Sequence, residues 1–295
     1  MGMNTIKTVV YDNDGVSIDS EDLAMRIADD WVSNMVLEFA PEKELEQDYI
    51  YNKYAGKSTN KIVKEIIEEK SLPLDEIKSA YQLQNDTDIE SVALALADLI
   101  TIETINRFKE ELKTIPGVVE AHDAVRKLVG AENMVLATTS REDRMNVSLD
   151  HAVDPVTGKN AGLSQTFAHC ISGYGHPNKY DLAFSNLNLD PSTTVVVEDS
   201  TNGAAYAKAG RPDVRVIGTV AAKFYTDKDA QAKLLLNAGA DVVVSRMDDL
   251  PLALMWLDNG LDPYKKPEGF QGKVYTQFDL INSLERTIFT APSII

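Results

Sequence analysis

The chain has 295 residues, 44% of them hydrophobic, which is enough for one large domain or two unequal ones with a packed core and sets disorder aside. With 46 acidic against 29 basic side chains the net charge is −17. Such a surface repels nucleic-acid phosphates and anionic lipid, so neither nucleic acid nor a membrane is an expected partner. The single cysteine, Cys170, allows no intrachain disulfide and is expected as a buried thiol in a reducing compartment, the cytoplasm.

Met1 to Lys7 lacks the apolar stretch of a signal peptide, and no run of eighteen apolar residues is free of charge, so no membrane span is expected. Thr8 to Tyr11 is a short apolar run that reads as a buried strand, and it ends at Asp12. Asp19 to Lys113 then reads as helices throughout. Apolar residues recur at helical spacing in Leu23, Ile27, Trp31 and Met35, and again in Ile62, Ile66 and Ile67. Ile115, Pro116 and Gly117 mark the return to a strand-and-helix pattern, with a helix over Val118 to Val129.

Further buried strands are expected at Met134 to Thr138, Thr193 to Val197, Val214 to Ile217 and Asp241 to Ser245. Strands alternating with helices predict an α/β fold, a doubly wound, Rossmann-like parallel sheet with ligands at the carboxyl ends of its strands. More than a hundred residues separate the first two strands, far beyond a usual crossover, which predicts an inserted domain. The expected layout is a core of residues 1–18 and 114–250, a helical cap over 19–113, and an extension over 251–295. That extension contains an expected amphipathic helix from Val274 to Phe289, and no function is assigned to it.

Chemistry concentrates at the strand ends. Asp12-Asn13-Asp14-Gly15-Val16-Ser17-Ile18-Asp19-Ser20 follows the first strand directly. In extended backbone residues two apart share a side, so Asp12 and Asp14 can face one phosphoryl group, and two carboxylates there need a cation. One carboxylate can attack phosphorus while its neighbour moves protons. Gly15 allows a sharp turn and a close backbone approach to substrate. An EF-hand reading of the D-x-D fails, because Val16 and Ser17 stand where that loop needs an acid or amide and a glycine.

Val195-Val196-Val197-Glu198-Asp199-Ser200 is a second apolar strand ending in acids, the hard oxygen ligands magnesium prefers. Asp199 or Ser200 would also serve as the N-cap of the helix that follows. Thr138, Thr139 and Ser140 end another strand with hydroxyls suited to a phosphoryl oxygen. In the expected cap, Tyr54-Ala55-Gly56-Lys57-Ser58 is no P-loop, since Tyr51 occupies the place of the first glycine and no apolar strand precedes it. His122, His151 and His169 show no metal-ligand spacing with one another or with Cys170.

In this order these motifs resemble the haloacid dehalogenase (HAD) superfamily, over about Ile6 to Ser245. The resemblance implies Asp12 as nucleophile and metal ligand, and Asp14 as general acid/base with its carbonyl on magnesium. It further implies Thr138 as the phosphoryl-binding hydroxyl, and Asp199, helped by Glu198, as the remaining metal ligand. Dehalogenases of the superfamily lack the second aspartate and phosphonatases carry a smaller residue there, so Asp14 points to phosphate esters. D-N-D-G-V-x-x-D-S-E and the insertion after it further resemble the branch of β-phosphoglucomutase and small-molecule phosphatases with a helical cap.

That branch often carries a G-x-S motif in the cap, which makes Gly56, Lys57 and Ser58 substrate-contact candidates beside Gly15, Thr139 and Ser140; Ser58 or Thr59 would equally cap a helix. The superfamily's third motif is a lysine, and here Ser172-Gly173-Tyr174-Gly175-His176-Pro177-Asn178-Lys179-Tyr180 departs from its usual spacing. Tyr174 or His176 falls in the usual column, and Lys179 a few residues on is the favoured cation. The implied function is a magnesium-dependent phosphatase of small phosphorylated metabolites working through an aspartyl phosphate. The alternatives are a sugar phosphomutase or a binding protein of the same fold with weakened catalysis, and the oligomeric state is left open.

Overall fold

The computed structural model describes residues 5–54, 57–83 and 88–279. Seven strands form one sheet: β1 (Thr8–Tyr11), β2 (Met134–Thr138), β3 (His169–Ser172), β4 (Thr194–Glu198), β5 (Arg215–Thr219), β6 (Val242–Val244) and β7 (Val274–Thr276). Their order is β3-β2-β1-β4-β5-β6-β7, parallel except for β7, which runs antiparallel to β6. β1, β2 and β4 are buried along their whole length, as near-continuous apolar runs in a sheet covered on both faces should be.

The chain divides into two compact units, Met1–Asp19 with Leu112–Ile295, and Ser20–Glu111. The second unit, the insert, is helical: α1 (Ser20–Phe39), α2 (Tyr49–Tyr54), α3 (Thr59–Glu69), α4 (Leu74–Ala80) and α5 (Ile89–Glu111). α3 buries Ile62, Val63, Ile66 and Ile67 on one stripe, and α1 buries Leu23, Ile27, Val32 and Met35. Between its helices the buried Asp29 carboxylate accepts the Ile50 N–H at 2.7 Å, which satisfies an otherwise orphaned donor near the start of α2.

In the first unit the strands alternate with α6 (Val118–Val129), α7 (Glu142–His151), α8 (Lys179–Leu187), α9 (Thr201–Lys208), α10 (Lys228–Asn237) and α11 (Leu250–Asp258). One apolar layer joins Val10, Val135, Val196 and Val216 of the sheet to Ala183 and Phe184 of α8, Ala204 and Ala207 of α9, and Leu235 and Leu236 of α10. On the other face Tyr11, His122 of α6 and Phe167 meet edge to face, with centroids 4.8 to 5.6 Å apart. The chain builds outward from β1 through β2 to β3, then returns to β4 on the other side of β1. The switch point therefore lies at the carboxyl ends of β1 and β4, where an open α/β sheet leaves a crevice.

Three expectations need correction. Cys170 is exposed, because it lies on the edge strand β3. The amphipathic helix expected from Val274 to Phe289 starts instead as strand β7, whose Val-Tyr-Thr sequence favours extended backbone, and residues 280–289 lie outside the described residues. The expected extension from 251 begins inside α11, which buries Leu250, Ala253, Leu254, Trp256 and Leu257 in the same unit as the sheet. Among the described residues no helix is long and apolar enough to cross a membrane.

Candidate active site

At the end of β1 the Asp12 N–H donates to the Val197 carbonyl at 3.0 Å, so the first acid hangs directly beside the end of β4. The backbone then closes a tight loop: the N–H groups of Ser17 and Ile18 donate to the Asn13 carbonyl, and Gly15 N–H donates to Ile18. Gly15 has φ +77°, and a side chain there would strike the Asp199 carboxylate within 1.8 Å. Only glycine satisfies both the left-handed backbone and the contact. Asn13 Nδ2 anchors the loop to Ser148 Oγ of α7 at 2.8 Å.

Asp12, Glu198 and Asp199 converge, with carboxylate oxygens within 4.8 Å of one another. Lys179, the first residue of α8, reaches them with Nζ 2.7 Å from Asp12 Oδ1 and 3.0 Å from Glu198 Oε2. The lysine is buried and held by its helix start. Asn178 caps α8 by accepting the Tyr180 N–H at 2.9 Å, and Gly173 leaves room for the Lys179 stem, whose Cβ would meet an added Cβ there at 2.7 Å. His176 is exposed, its Nδ1 2.8 Å from the Asn178 carbonyl of its own loop, and Tyr174 is exposed as well.

Glu198 is fully buried and saturated. Its Oε1 accepts from Asp199 N, Ser200 N and Ser200 Oγ, and its Oε2 accepts from the Tyr180 hydroxyl and Lys179. Ser200 in turn caps α9 through Gly203 N–H at 3.0 Å, so Ser200 rather than Asp199 is the helix cap. Gly203 must lack a side chain, since a Cβ would lie 2.1 Å from the Glu198 carboxyl carbon.

The charges do not balance among these residues. Burial would lower the Lys179 pKa, but Asp12 and Glu198 overcome this and hold it raised. Burial would raise Glu198, yet Lys179 and the hydrogen bonds from Tyr180 and Ser200 keep it lowered. Asp12 and Asp199 go the other way: burial first, then the Glu198 charge, pushes both upward. One buried ammonium thus serves three buried carboxylates, and the two raised acids are short of positive charge. That is the electrostatic situation a divalent cation relieves, and a hard oxygen set suits magnesium.

Asp14 lies apart from that cluster. Its Oδ2 accepts from Thr138 Oγ1 at 3.3 Å and Ser140 Oγ at 2.9 Å, and its Oδ1 pairs with Arg144 of α7 at 2.9 Å. Thr138, at the end of β2, also accepts the Ser140 N–H, whereas Thr139 is exposed. In the insert, Lys57 is paired with Glu65 at 2.8 Å and lies 5.0 Å from the Tyr54 ring centroid. Ser58 stands at the N-cap position of α3 without a side-chain cap bond, and Gly56 lies outside the described residues.

Three further residues contribute to the site: Tyr180, Arg144 and Tyr225. Tyr180 immediately follows Lys179, and an N-cap asparagine before a lysine is the signal that both begin a helix. Arg144 falls in the first turn of the helix after the strand-end hydroxyls, where a cation facing back toward the strand end is a fair expectation. Tyr225, whose hydroxyl donates to Asp199 Oδ2 at 2.8 Å, comes from the loop after β5 and carries no local signal.

Fold and site together define a class: a doubly wound α/β core with carboxylates gathered at the switch point of its sheet. More narrowly, the chain belongs to the haloacid dehalogenase-like hydrolases, whose family model matches residues 6–211. Among solved structures it is similar to a conserved haloacid dehalogenase-like protein of unknown function from Agrobacterium tumefaciens, at 24% identity and TM-score 0.60, covering 85% of this chain and 99% of that one. A putative β-phosphoglucomutase from Thermotoga maritima aligns at 22% identity and TM-score 0.59, covering 84% and 98%. CbbY from Rhodobacter sphaeroides, solved in complex with xylulose-1,5-bisphosphate, aligns at 15% identity and TM-score 0.54, covering 83% and 96%. No curated protein sequence matches the chain.

Proposed function

We propose that this protein is a magnesium-dependent phosphatase of small phosphorylated metabolites in which Asp12 takes the phosphoryl group. The observation that carries the proposal is the buried contact of Lys179 with Asp12 and Glu198, next to Asp199, at the switch point of the sheet. A carboxylate fixed at Oδ1 by an ammonium and by the Asn13 N–H at 2.7 Å keeps Oδ2 as the attacking atom. Attack forms the Asp12–phosphorus bond as the ester oxygen leaves. Water then attacks the same phosphorus and returns the carboxylate.

Asp14 is assigned the proton transfers, giving a proton to the leaving oxygen and taking one from water. Ser140 orients it by donating to its Oδ2, and the Thr138 hydroxyl, whose bond to the same oxygen is the longer at 3.3 Å, is assigned to turn to a phosphoryl oxygen when substrate binds. Asp12 and Asp199, with the Asp14 carbonyl, would hold the cation, which when bound neutralises charge on the phosphoryl oxygens. Glu198 is assigned mainly to fixing Lys179, because both its oxygens are already occupied by donors of the chain. The contact of Lys179 with Asp12 supports this reading over that of a catalytically weakened binding protein.

The deciding experiment is phosphate release from a panel of phosphate monoesters and sugar phosphates, with magnesium or with chelator, by wild type and Asp12→Asn. Magnesium-dependent release that the substitution abolishes supports the phosphatase. Isomerisation of a sugar phosphate without net release would replace it with a mutase. Release that persists in Asp12→Asn would refute the assignment of the nucleophile.

A further inference from the structure

Asp199 is held by groups that lie outside the family's signature segments. The Tyr225 hydroxyl is 2.8 Å from Asp199 Oδ2 and 3.0 Å from its carbonyl oxygen, and Gln231 Nε2 of α10 donates to that same carbonyl at 3.1 Å. Gly15 also approaches Oδ2, so tightly that an added Cβ would lie 1.8 Å away. Oδ2 thus has both a hydroxyl and a glycine against it, and among the described residues no hydrogen bond reaches Oδ1. The Tyr225 ring is seated in turn, packing against the core layer formed by β4, β5 and α10.

Resting on the reading that Asp12 and Asp199 hold a divalent cation, we propose that Tyr225 is a positioning residue that fixes the Asp199 carboxylate with Oδ1 presented as the ligand atom. A free carboxylate rotates about χ2, and the cation would have to arrest that rotation on binding. Tyr225 arrests it beforehand, as outer-shell partners of metal ligands do, and their removal typically weakens metal binding about 10–100-fold. The hydroxyl also draws charge from Oδ2, which disfavours binding through both oxygens. The loop after β5 thus contributes to a site whose other members come from β1, β2, β4 and α8.

The test is calorimetric titration of magnesium and of manganese into full-length wild type and Tyr225→Phe, with thermal unfolding of both in chelator. Phenylalanine keeps the ring in its half-buried seat, so unfolding in chelator is expected to be unchanged while affinity for both ions falls about tenfold or more. In phosphate-release assays the metal concentration giving half-maximal rate should rise by the same factor, with the rate at saturating metal restored. Gln231→Leu, which releases only the carbonyl, should change affinity much less. Equal affinity in wild type and Tyr225→Phe overturns the proposal. A lower rate at saturating metal with unaltered affinity overturns it as well. Wild type that binds neither ion refutes the underlying assignment of the cation site, and this inference with it.

Discussion

Acidification should destabilise the sheet-bearing unit through one ring. His122 of α6 is 1% exposed, lies edge to face against Tyr11 and Phe167, and has no hydrogen-bond partner for either nitrogen among the described residues. Burial, aided by the Arg126 charge, lowers its pKa from 6.5 to about 3. A histidine with a depressed folded pKa takes up its proton in the unfolded chain first, so its contribution is complete above pH 6.5 and is lost as pH falls toward 3. At pH 5 the unfolded state is favoured through this ring over about 1.5 pH units, or roughly 2 kcal/mol. That is a large share of the roughly 5–15 kcal/mol by which a domain is stable.

The assay is urea unfolding at pH 7.5 and pH 5 for wild type and His122→Phe, which keeps an aromatic ring between Tyr11 and Phe167. Carboxylate effects are common to both proteins and cancel in the difference. The chain has two tryptophans, Trp31 in the insert and Trp256 in α11, so a Trp31→Phe background makes fluorescence report on the sheet-bearing unit alone. Wild type should lose about 2 kcal/mol more than the variant between the two pH values. An equal loss would refute the reasoning, because it would mean that the imidazole is protonated as readily in the folded protein as in the unfolded chain.

Removing the ammonium should cost both stability and rate. Lys179→Met leaves buried Asp12 and Glu198 without their cation, which should destabilise by about 3–5 kcal/mol in urea and lower phosphate release about 100–1,000-fold at saturating magnesium. His176→Ala should leave release near the wild-type rate, because the ring is occupied by its own loop, and a collapse there would move the third-motif role from Lys179. Gly203→Ala should abolish activity by displacing Glu198, whereas Gly210→Ala, at φ +71° with open space around it, should cost about 1 kcal/mol and leave activity intact. Asp154→Ala removes an acceptor for Val156 N, Thr157 N and Thr157 Oγ1, and should lower the unfolding free energy in urea by about 1–2 kcal/mol without affecting phosphate release.

What could be read from the chain and what could not divide along a physical line. β1, β2 and β4 were legible because a strand buried on both faces must be apolar throughout, and the acids and hydroxyls at its end follow it covalently. Asp12, Thr138, Glu198 and Asp199 inherit their place from those runs, so reading the strand also located the side chain. β3 gives no strand signal because His169 and Cys170 lie exposed on a sheet edge and break the apolar pattern. β7 reads as helix in the sequence because a three-residue antiparallel edge strand shows almost no period.

The lysine marks the boundary between the two cases. Between Gly173 and Lys179 the chain has to turn, and a turn sets the reach of a side chain by its backbone angles, not by counting residues. Gly175 at φ +76° and the Asn178 cap bring Lys179 to Asp12, and neither angle nor cap can be assigned until the helix start is known. Arg144 and Tyr225 lie wholly beyond that boundary, since they reach Asp14 and Asp199 only through packing of α7 and of the β5–α10 loop. The residues proposed to meet the phosphoryl group are therefore local to the strand ends, while the residues that orient them are supplied by tertiary structure. Substitutions at strand ends should remove activity outright, whereas loss of the Tyr225 hydroxyl should instead raise the metal requirement.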